Sequence, residues 1–216
     1  MLTVLTHRQV IVWIERTAEV MKANRDTLTE LDAAIGDADH GNNMDRGYQA
    51  AVAKLPGDET DVGAILRSLS MALISKVGGA AGPLYGTFFL QASNALKGRT
   101  ELTEADVERL LETGIDGVMM RGKAQAGEKT MLDALIPARD AFATARGRGA
   151  SLTDCLEAAT EAAGQGMRAT IPMIATKGRA SYLGERSRGH QDPGATSSYL
   201  ILKTLTEIAQ EGRTAS

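Results

Sequence analysis

An all-α fold, a single barrel or bundle of about eight amphipathic helices over residues 1–216, is predicted by three features of the sequence. Aromatic residues are scarce, with 3 Phe, 4 Tyr and 1 Trp beside many Ala, Leu and Met, whereas a β-sandwich would be richer in aromatic and β-branched side chains. Apolar residues recur at helical spacing along most of the chain, and no strand pattern alternates with them. No internal repeat or Pro/Ser-rich linker divides the 216 residues, so one core is expected and not two.

The helices follow from caps and periodicity. Thr6-His7-Arg8-Gln9 has capping-box form, and Val10, Ile14, Thr17, Met21 and Leu28 carry one long first helix towards Leu31. Met44, Tyr48, Ala51 and Leu55 mark a second helix ending at Pro56-Gly57, and Val62, Ile65, Leu66, Leu69 and Leu73 a third. The glycine-rich stretch from Gly78 opens a fourth through Phe88, Leu90 and Leu96. Pro83 suits its first turn, where the missing N–H costs nothing. Thr103-Glu104-Ala105-Asp106 caps a fifth bearing Val107, Leu110, Leu111, Ile115 and Val118 on one face. Thr130 precedes a sixth with Leu132, Leu135 and Ile136, in which Pro137 is placed to kink the helix. Ser151-Leu152-Thr153-Asp154 starts a seventh through Leu156, Ala159 and Met167. After a long loop, Thr196 is the expected cap of the last, with Tyr199, Leu200, Leu205 and Ile208 in the core.

Composition excludes several function classes. Hydrophobic residues at 43% and charged residues at 24% are ordinary globular values. A net charge of -3, from 24 Lys+Arg against 27 Asp+Glu, gives no basic footprint for nucleic acid. The lone Cys155 makes no internal disulfide and no zinc-spaced Cys/His cluster exists, which fits a reducing compartment. His7, Arg8, Glu15 and Arg16 interrupt the N-terminal apolar residues before a signal or membrane segment could form, so the expectation is a cytoplasmic protein.

Residues that do not serve helix packing collect in four segments: Asp32 to Asn43, Gly78 to Gly86, Gly122 to Thr130, and Lys177 to Gly194. In the first, Asp32, Asp37 and Asp39 place three carboxylates within eight residues, and Gly36 and Gly41 let the backbone turn so that they converge. Hard oxygen donors suit Mg²⁺ or Ca²⁺, and Mg²⁺ better where water and phosphate oxygens complete the coordination shell. A solvated acidic turn that caps helices is the competing reading. An EF-hand is excluded, because a loop beginning at Asp37 has Asn42 where Gly is needed and Tyr48 where a bidentate Glu is needed. His40, Asn42 and Asn43 follow at a predicted helix N-terminus, which favours a phosphate.

The other segments are less specific. The glycines from Gly78 to Gly82 serve either close approach to an anion or tight helix packing. Gly122 to Thr130 looks like a Walker A loop, but Glu128 separates Gly127 from Lys129 and no strand precedes it, so that assignment is rejected. Lys177, Arg179, Arg186 and Arg188 could screen phosphate charge or form a solvated basic loop.

Two longer motifs are distinctive: Gly36-Asp37-Ala38-Asp39-His40-Gly41-Asn42-Asn43-Met44, and Lys177-Gly178-Arg179-Ala180-Ser181-Tyr182-Leu183-Gly184-Glu185-Arg186. With Gly82-Pro83-Leu84-Tyr85-Gly86 and Gly189-His190-Gln191-Asp192-Pro193-Gly194-Ala195, the chain resembles the nucleotide-binding L subunit of dihydroxyacetone kinase over nearly its whole length. The resemblance implies an eight-helix barrel holding ADP or ATP at one end through Mg²⁺, two ions being expected, ligated by Asp32, Asp37 and Asp39. It also implies that His40, Gly41, Asn42, Asn43, Ala81 and Gly82 hold phosphates. Gly122, Met131, Arg179 and the Asp192-Pro193-Gly194 turn would contact the nucleotide.

In such systems the sugar sits on a separate K subunit, and the resemblance assigns no catalytic residue to this chain. The implied partners are that dihydroxyacetone-binding K subunit, a phosphohistidine-carrying M subunit that rephosphorylates bound ADP in a phosphoenolpyruvate-dependent scheme, and a transcription regulator. A homodimer or a heterotetramer with K is the expected assembly. A nucleotide-sensing regulatory subunit and an ATP-dependent kinase of another small ketose are the alternatives. Ala81 stands where the family usually has Ser, and Glu128 where it has Asp. Loss of a buried hydroxyl donor would weaken phosphate binding by about 1–3 kcal/mol while backbone N–H contacts survive.

Overall fold

The computed structural model describes residues 4–55 and 57–214. Helices α1 (His7–Ala23), α2 (Arg25–Ile35), α3 (His40–Val52), α4 (Val62–Lys76), α5 (Ala81–Ala95), α6 (Glu104–Gly122), α7 (Leu132–Gly147), α8 (Leu152–Ala169) and α9 (Pro193–Thr214) account for most of it. Each long helix packs on the next, α1 on α3 and so on to α9, and α9 returns to α1. This ring of eight helices closes a barrel, as expected.

Several caps are as predicted. Thr6 and Gln9 form the capping box of α1, Thr103 and Asp106 that of α6, and the Ser151 hydroxyl accepts from the Asp154 N–H at α8. The interior is filled by side chains. Trp13, Phe88 and Phe89 pack edge to face, at 6.0 Å for Trp13–Phe89 and 5.1 Å for Phe88–Phe89. The Trp13 indole N–H finds its partner in the Ile201 carbonyl at 3.0 Å, tying α1 to α9.

Four expectations are corrected. The first helix is broken at Asn24, which has φ of -101° and ψ of 9° and whose side-chain Nδ2 adds a second donor at 2.8 Å to the Val20 carbonyl, so that α2 leaves the ring as a short separate helix. The second ends at Val52 and not at Pro56-Gly57, and Pro56 lies outside the described residues. Asp192, not Thr196, caps α9, its carboxylate accepting from Ala195 N–H at 2.7 Å, while the Thr196 hydroxyl donates to the Asp192 carbonyl. The loop from Lys177 is ordered, with a 3-10 segment at Arg179–Ser187 whose Ala180 and Leu183 pack on Ile35 of α2. α7 runs on through Pro137 without ending there. A two-residue antiparallel pair, β1 (Leu5–Thr6) with β2 (Glu101–Leu102), is too short to give a sequence signal.

The topology places the site. In a ring of alternating up and down helices, every second connection lies at the same end. The connections α1–α3, α4–α5, α6–α7 and α8–α9 are the four segments singled out above, so one end of the barrel collects all of them.

Candidate nucleotide and metal site

At that end lies a cleft of about 180 Å³, bordered by a second, more apolar cavity of about 240 Å³. Asp32, Asp37, Asp39, His40, Ala81, Met131, Arg179, Asp192, Pro193 and Gly194 line the first. Gly122 lines the second, which shares Met131 and Leu84 with it. Gly41, Asn42, Asn43 and Gly82 stand off the lining. Asn42 is exposed in the first turn of α3, Asn43 is buried with its side chain on Arg46, and Gly82 is buried against the Val77 carbonyl.

The carboxylates converge. One oxygen from each of Asp32, Asp37 and Asp39 lies within 4.8 Å of the others. Asp32 is nearly buried, and its Oδ2 accepts from the backbone N–H groups of Asp39 at 2.9 Å and His40 at 3.1 Å. Those bonds fix the turn between α2 and α3, and Ala38 takes a left-handed φ of 59° within it. Gly41 lets α3 start directly on α2, since a Cβ there would lie 1.9 Å from the Arg25 carbonyl oxygen. Asp37 pairs with Arg179 at 2.9 Å. Three clustered acids with one paired cation leave net negative charge, and the donor set is all oxygen. That chemistry fits a hard divalent cation.

Anion-binding groups face the same space. Asp32 takes the His40 N–H at the start of α3, which leaves the Gly41 and Asn42 N–H groups there, and no side chain of the N-cap residue Ala80 caps α5, so N–H groups at the starts of both helices remain available beside the carboxylates. His40 Nε2 meets Ser197 Oγ at 2.9 Å, which in turn meets Tyr85 OH at 2.7 Å, a buried chain from α3 to α5 and α9. Burial pushes the His40 imidazole below its ordinary value, with Asp32 and Asp39 opposing. Burial likewise raises the Tyr85 phenol well above its usual range.

Asp192 is buried and its carboxyl is pushed up to about 7, because desolvation outweighs the hydrogen bond from Ala195. The native state therefore binds this proton more tightly than the unfolded chain, where the value is 3.8, and stability from it is lost as pH rises through about 7. Without nucleotide, the wild type is expected to gain stability relative to Asp192→Asn as pH falls from 8 to 5. Urea unfolding of both proteins across that range checks this, and a difference independent of pH would rule out the burial account.

Sequence reasoning missed Lys129, Thr130 and Leu84 as lining residues, whereas Lys177, named from sequence as a candidate for screening phosphate charge, lines both cavities. Lys129 stood in the rejected Walker-like loop, and Leu84 reads as ordinary helix periodicity. The Glu128 side chain stays within its own loop, accepting from the Gln125 N–H at 2.8 Å, while its backbone carbonyl accepts from the Thr176 N–H at 3.3 Å.

A profile of the DAK2 domain matches residues 34–207. The chain belongs to the DAK2 domain family. An Escherichia coli K12 relative, "PEP-dependent dihydroxyacetone kinase, ADP-binding subunit DhaL", is 45% identical over 208 residues, covering 96% of this DAK2 chain and 99% of the relative. The Lactococcus lactis "PTS-dependent dihydroxyacetone kinase, ADP-binding subunit DhaL" is 41% identical, with 94% and 98% covered. Among solved structures, the C. freundii dihydroxyacetone kinase in complex with AMP-PNP and Mg²⁺ matches with a TM-score of 0.69 and 27% identity, over 92% of this chain. This DAK2 chain spans about a third of that kinase, 33% of its length.

Proposed function

We propose that this DAK2 chain is the ADP-binding subunit of a phosphoenolpyruvate-dependent dihydroxyacetone kinase, working with a separate sugar-binding K subunit and a phosphohistidine-carrying M subunit in the cytoplasm. The observation that carries the reading is the juxtaposition of three converging carboxylates with helix N-termini, those of α3 and α5, that keep N–H groups for an anion on one cleft. Relatives named as PEP- or PTS-dependent are 39–45% identical, while the mouse triokinase/FMN cyclase is 32% identical, which favours the phosphoenolpyruvate-dependent scheme.

In this scheme Asp32, Asp37 and Asp39 hold Mg²⁺, two ions being expected, which when bound neutralises phosphate charge and draws phosphate oxygens into position. The backbone N–H groups of Gly41, Asn42, Ala81 and Gly82, at the starts of α3 and α5, bind the phosphates, and the neutral His40 and the side chain of Asn43 orient that turn. Ala81 does this without the hydroxyl that a serine would add. Met131, Gly122 and Leu84 pack the base in the apolar cavity. Arg179 and the Asp192-Pro193-Gly194 start of α9 close the opposite wall. The chain thus binds, orients and shields the nucleotide, and the acceptor and its base come from the K subunit.

Native mass spectrometry of the purified protein tests this. A mass increment of one ADP with Mg²⁺ is expected, followed by phosphoryl transfer to dihydroxyacetone when phosphoenolpyruvate, the phosphotransferase proteins and cognate M and K subunits are added. A protein that neither carries nor binds MgADP refutes the reading.

A further inference from the structure

We propose that Lys129 is a positioning residue whose ammonium serves as a built-in cation, caged by backbone carbonyls, that fixes two walls of the cleft, and whose place a small free cation can take. The proposal rests on the nucleotide reading for its binding effect, but its structural half stands alone. Lys129 is only 1% exposed although it lies in the connection between α6 and α7. Its Nζ donates to the carbonyls of His190 at 2.5 Å, Thr170 at 2.6 Å and Met173 at 3.2 Å, with the Ile171 carbonyl at 3.5 Å.

An ammonium has three N–H donors, and here carbonyls take all three. None is left for a phosphate, so this lysine does not grip a ligand as a P-loop lysine does. The acids sharing its surroundings spend oxygens on backbone N–H groups instead: Asp192 on Ala195, and Asp133 on Gly127 and Thr130. What Lys129 joins are the segment after α8 and the residues just before α9, both pulled onto the start of α7.

The backbone supports this view. Lys129 has φ of 61°, the left-handed region that a side chain with a Cβ enters at a cost, so its contacts must hold it there. Without the ammonium, four carbonyl dipoles would point at one another in a buried space, the Thr170 and Ile171 oxygens keeping only the N–H groups of Met173 and Gly189 and the His190 and Met173 oxygens losing the lysine donor. Carbonyl rings of that kind are monovalent-cation ligands elsewhere. Removal of the side chain therefore leaves a site for potassium or an alkylammonium, and in their absence the Asp192–Gly194 wall separates from Thr130 and Met131.

The test compares wild type, Lys129→Ala and Lys129→Met in tetramethylammonium chloride, and again with potassium or ethylammonium chloride at equal ionic strength. MgADP affinity is read by calorimetry, and amide hydrogen exchange at residues 170–173 and 189–192 is read without nucleotide. In tetramethylammonium both variants are expected to bind MgADP about tenfold more weakly or worse and to exchange faster in those segments. Ethylammonium or potassium restores both readouts in Lys129→Ala and neither in Lys129→Met, whose stem fills the space, while the wild type ignores the cation.

Wild-type affinity and protection in the variants, or no recovery of Lys129→Ala with any small cation, would overturn the proposal. If Lys129→Ala fails to fold, refolding with ethylammonium present decides in the same way, recovery supporting the cage and failure refuting it. A wild type that does not bind MgADP would refute the nucleotide reading, and hydrogen exchange would still judge the cage.

Discussion

Asp37→Asn is expected to weaken magnesium-dependent ADP binding and phosphoryl transfer at least about a hundredfold, with helicity and unfolding midpoint nearly unchanged. The two halves of that expectation have separate causes. Asp37 has a side chain 34% exposed, in a turn, and among the described residues its ion pair is with Arg179, itself 65% exposed. An exposed pair of this kind contributes at most about 1 kcal/mol to folding, so its loss is hardly felt in stability. The same carboxylate is one of three whose oxygens lie within 4.8 Å, and an amide in its place removes a full negative charge from the donor set. Calorimetry with MgADP, together with the coupled dihydroxyacetone assay, measures the loss. Arg179→Met is the control for the ion pair: if pairing with Arg179 were the sole role of Asp37, the two variants would behave alike. Undiminished MgADP binding by Asp37→Asn would remove the aspartate from the metal site.

Much of this arrangement was legible because it depends on local chemistry. The caps at Thr6, Thr103 and Ser151 are side-chain to backbone bonds spanning three residues, and short-range patterns reveal them. The three aspartates were visible as a cluster because their spacing is local too. Features that depend on contacts far apart in sequence were not. Nothing around Asn24 forbids a continuous helix; the break goes with the Asn24 side-chain bond to Val20 and with α2 docking on α3 and on the Arg179–Ser187 segment. Asp192 displaced Thr196 as the cap of α9 because its backbone N–H is also anchored, 3.0 Å from the Thr170 hydroxyl across the α8–α9 connection. Lys129 was set aside on a correct argument, the absence of a P-loop, yet its partners lie 41 to 61 positions along the chain and no window of sequence shows them.

Gly36→Ala is expected to abolish metal binding at the proposed site almost as completely as Asp32→Asn, although it changes no charge and adds one methyl group. Gly36 closes α2, its N–H bonded to the Asp32 carbonyl one turn back, with φ of -139° and ψ of -135°. A Cβ built there would lie 2.0 Å from Asp32 Oδ1 and 2.9 Å from its Cγ, so the methyl group and the carboxylate cannot coexist. Oδ2 is committed to the N–H groups of Asp39 and His40, which leaves Oδ1 as the free donor. To make room, the carboxylate must turn out of the cleft, which breaks the bonds holding the α2–α3 turn, or the turn itself must move. Either response carries Asp37 and Asp39 away from Asp32. A stability loss of about 1–3 kcal/mol is expected from overpacking and the lost charge-assisted bonds. MgADP affinity should fall much further than that loss explains. The double variant separates local from global damage: if Gly36 acts through Asp32, Gly36→Ala adds little to Asp32→Asn in MgADP binding, whereas full additivity would show that the two act independently. Wild-type affinity in Gly36→Ala would mean that the site does not use Asp32 Oδ1.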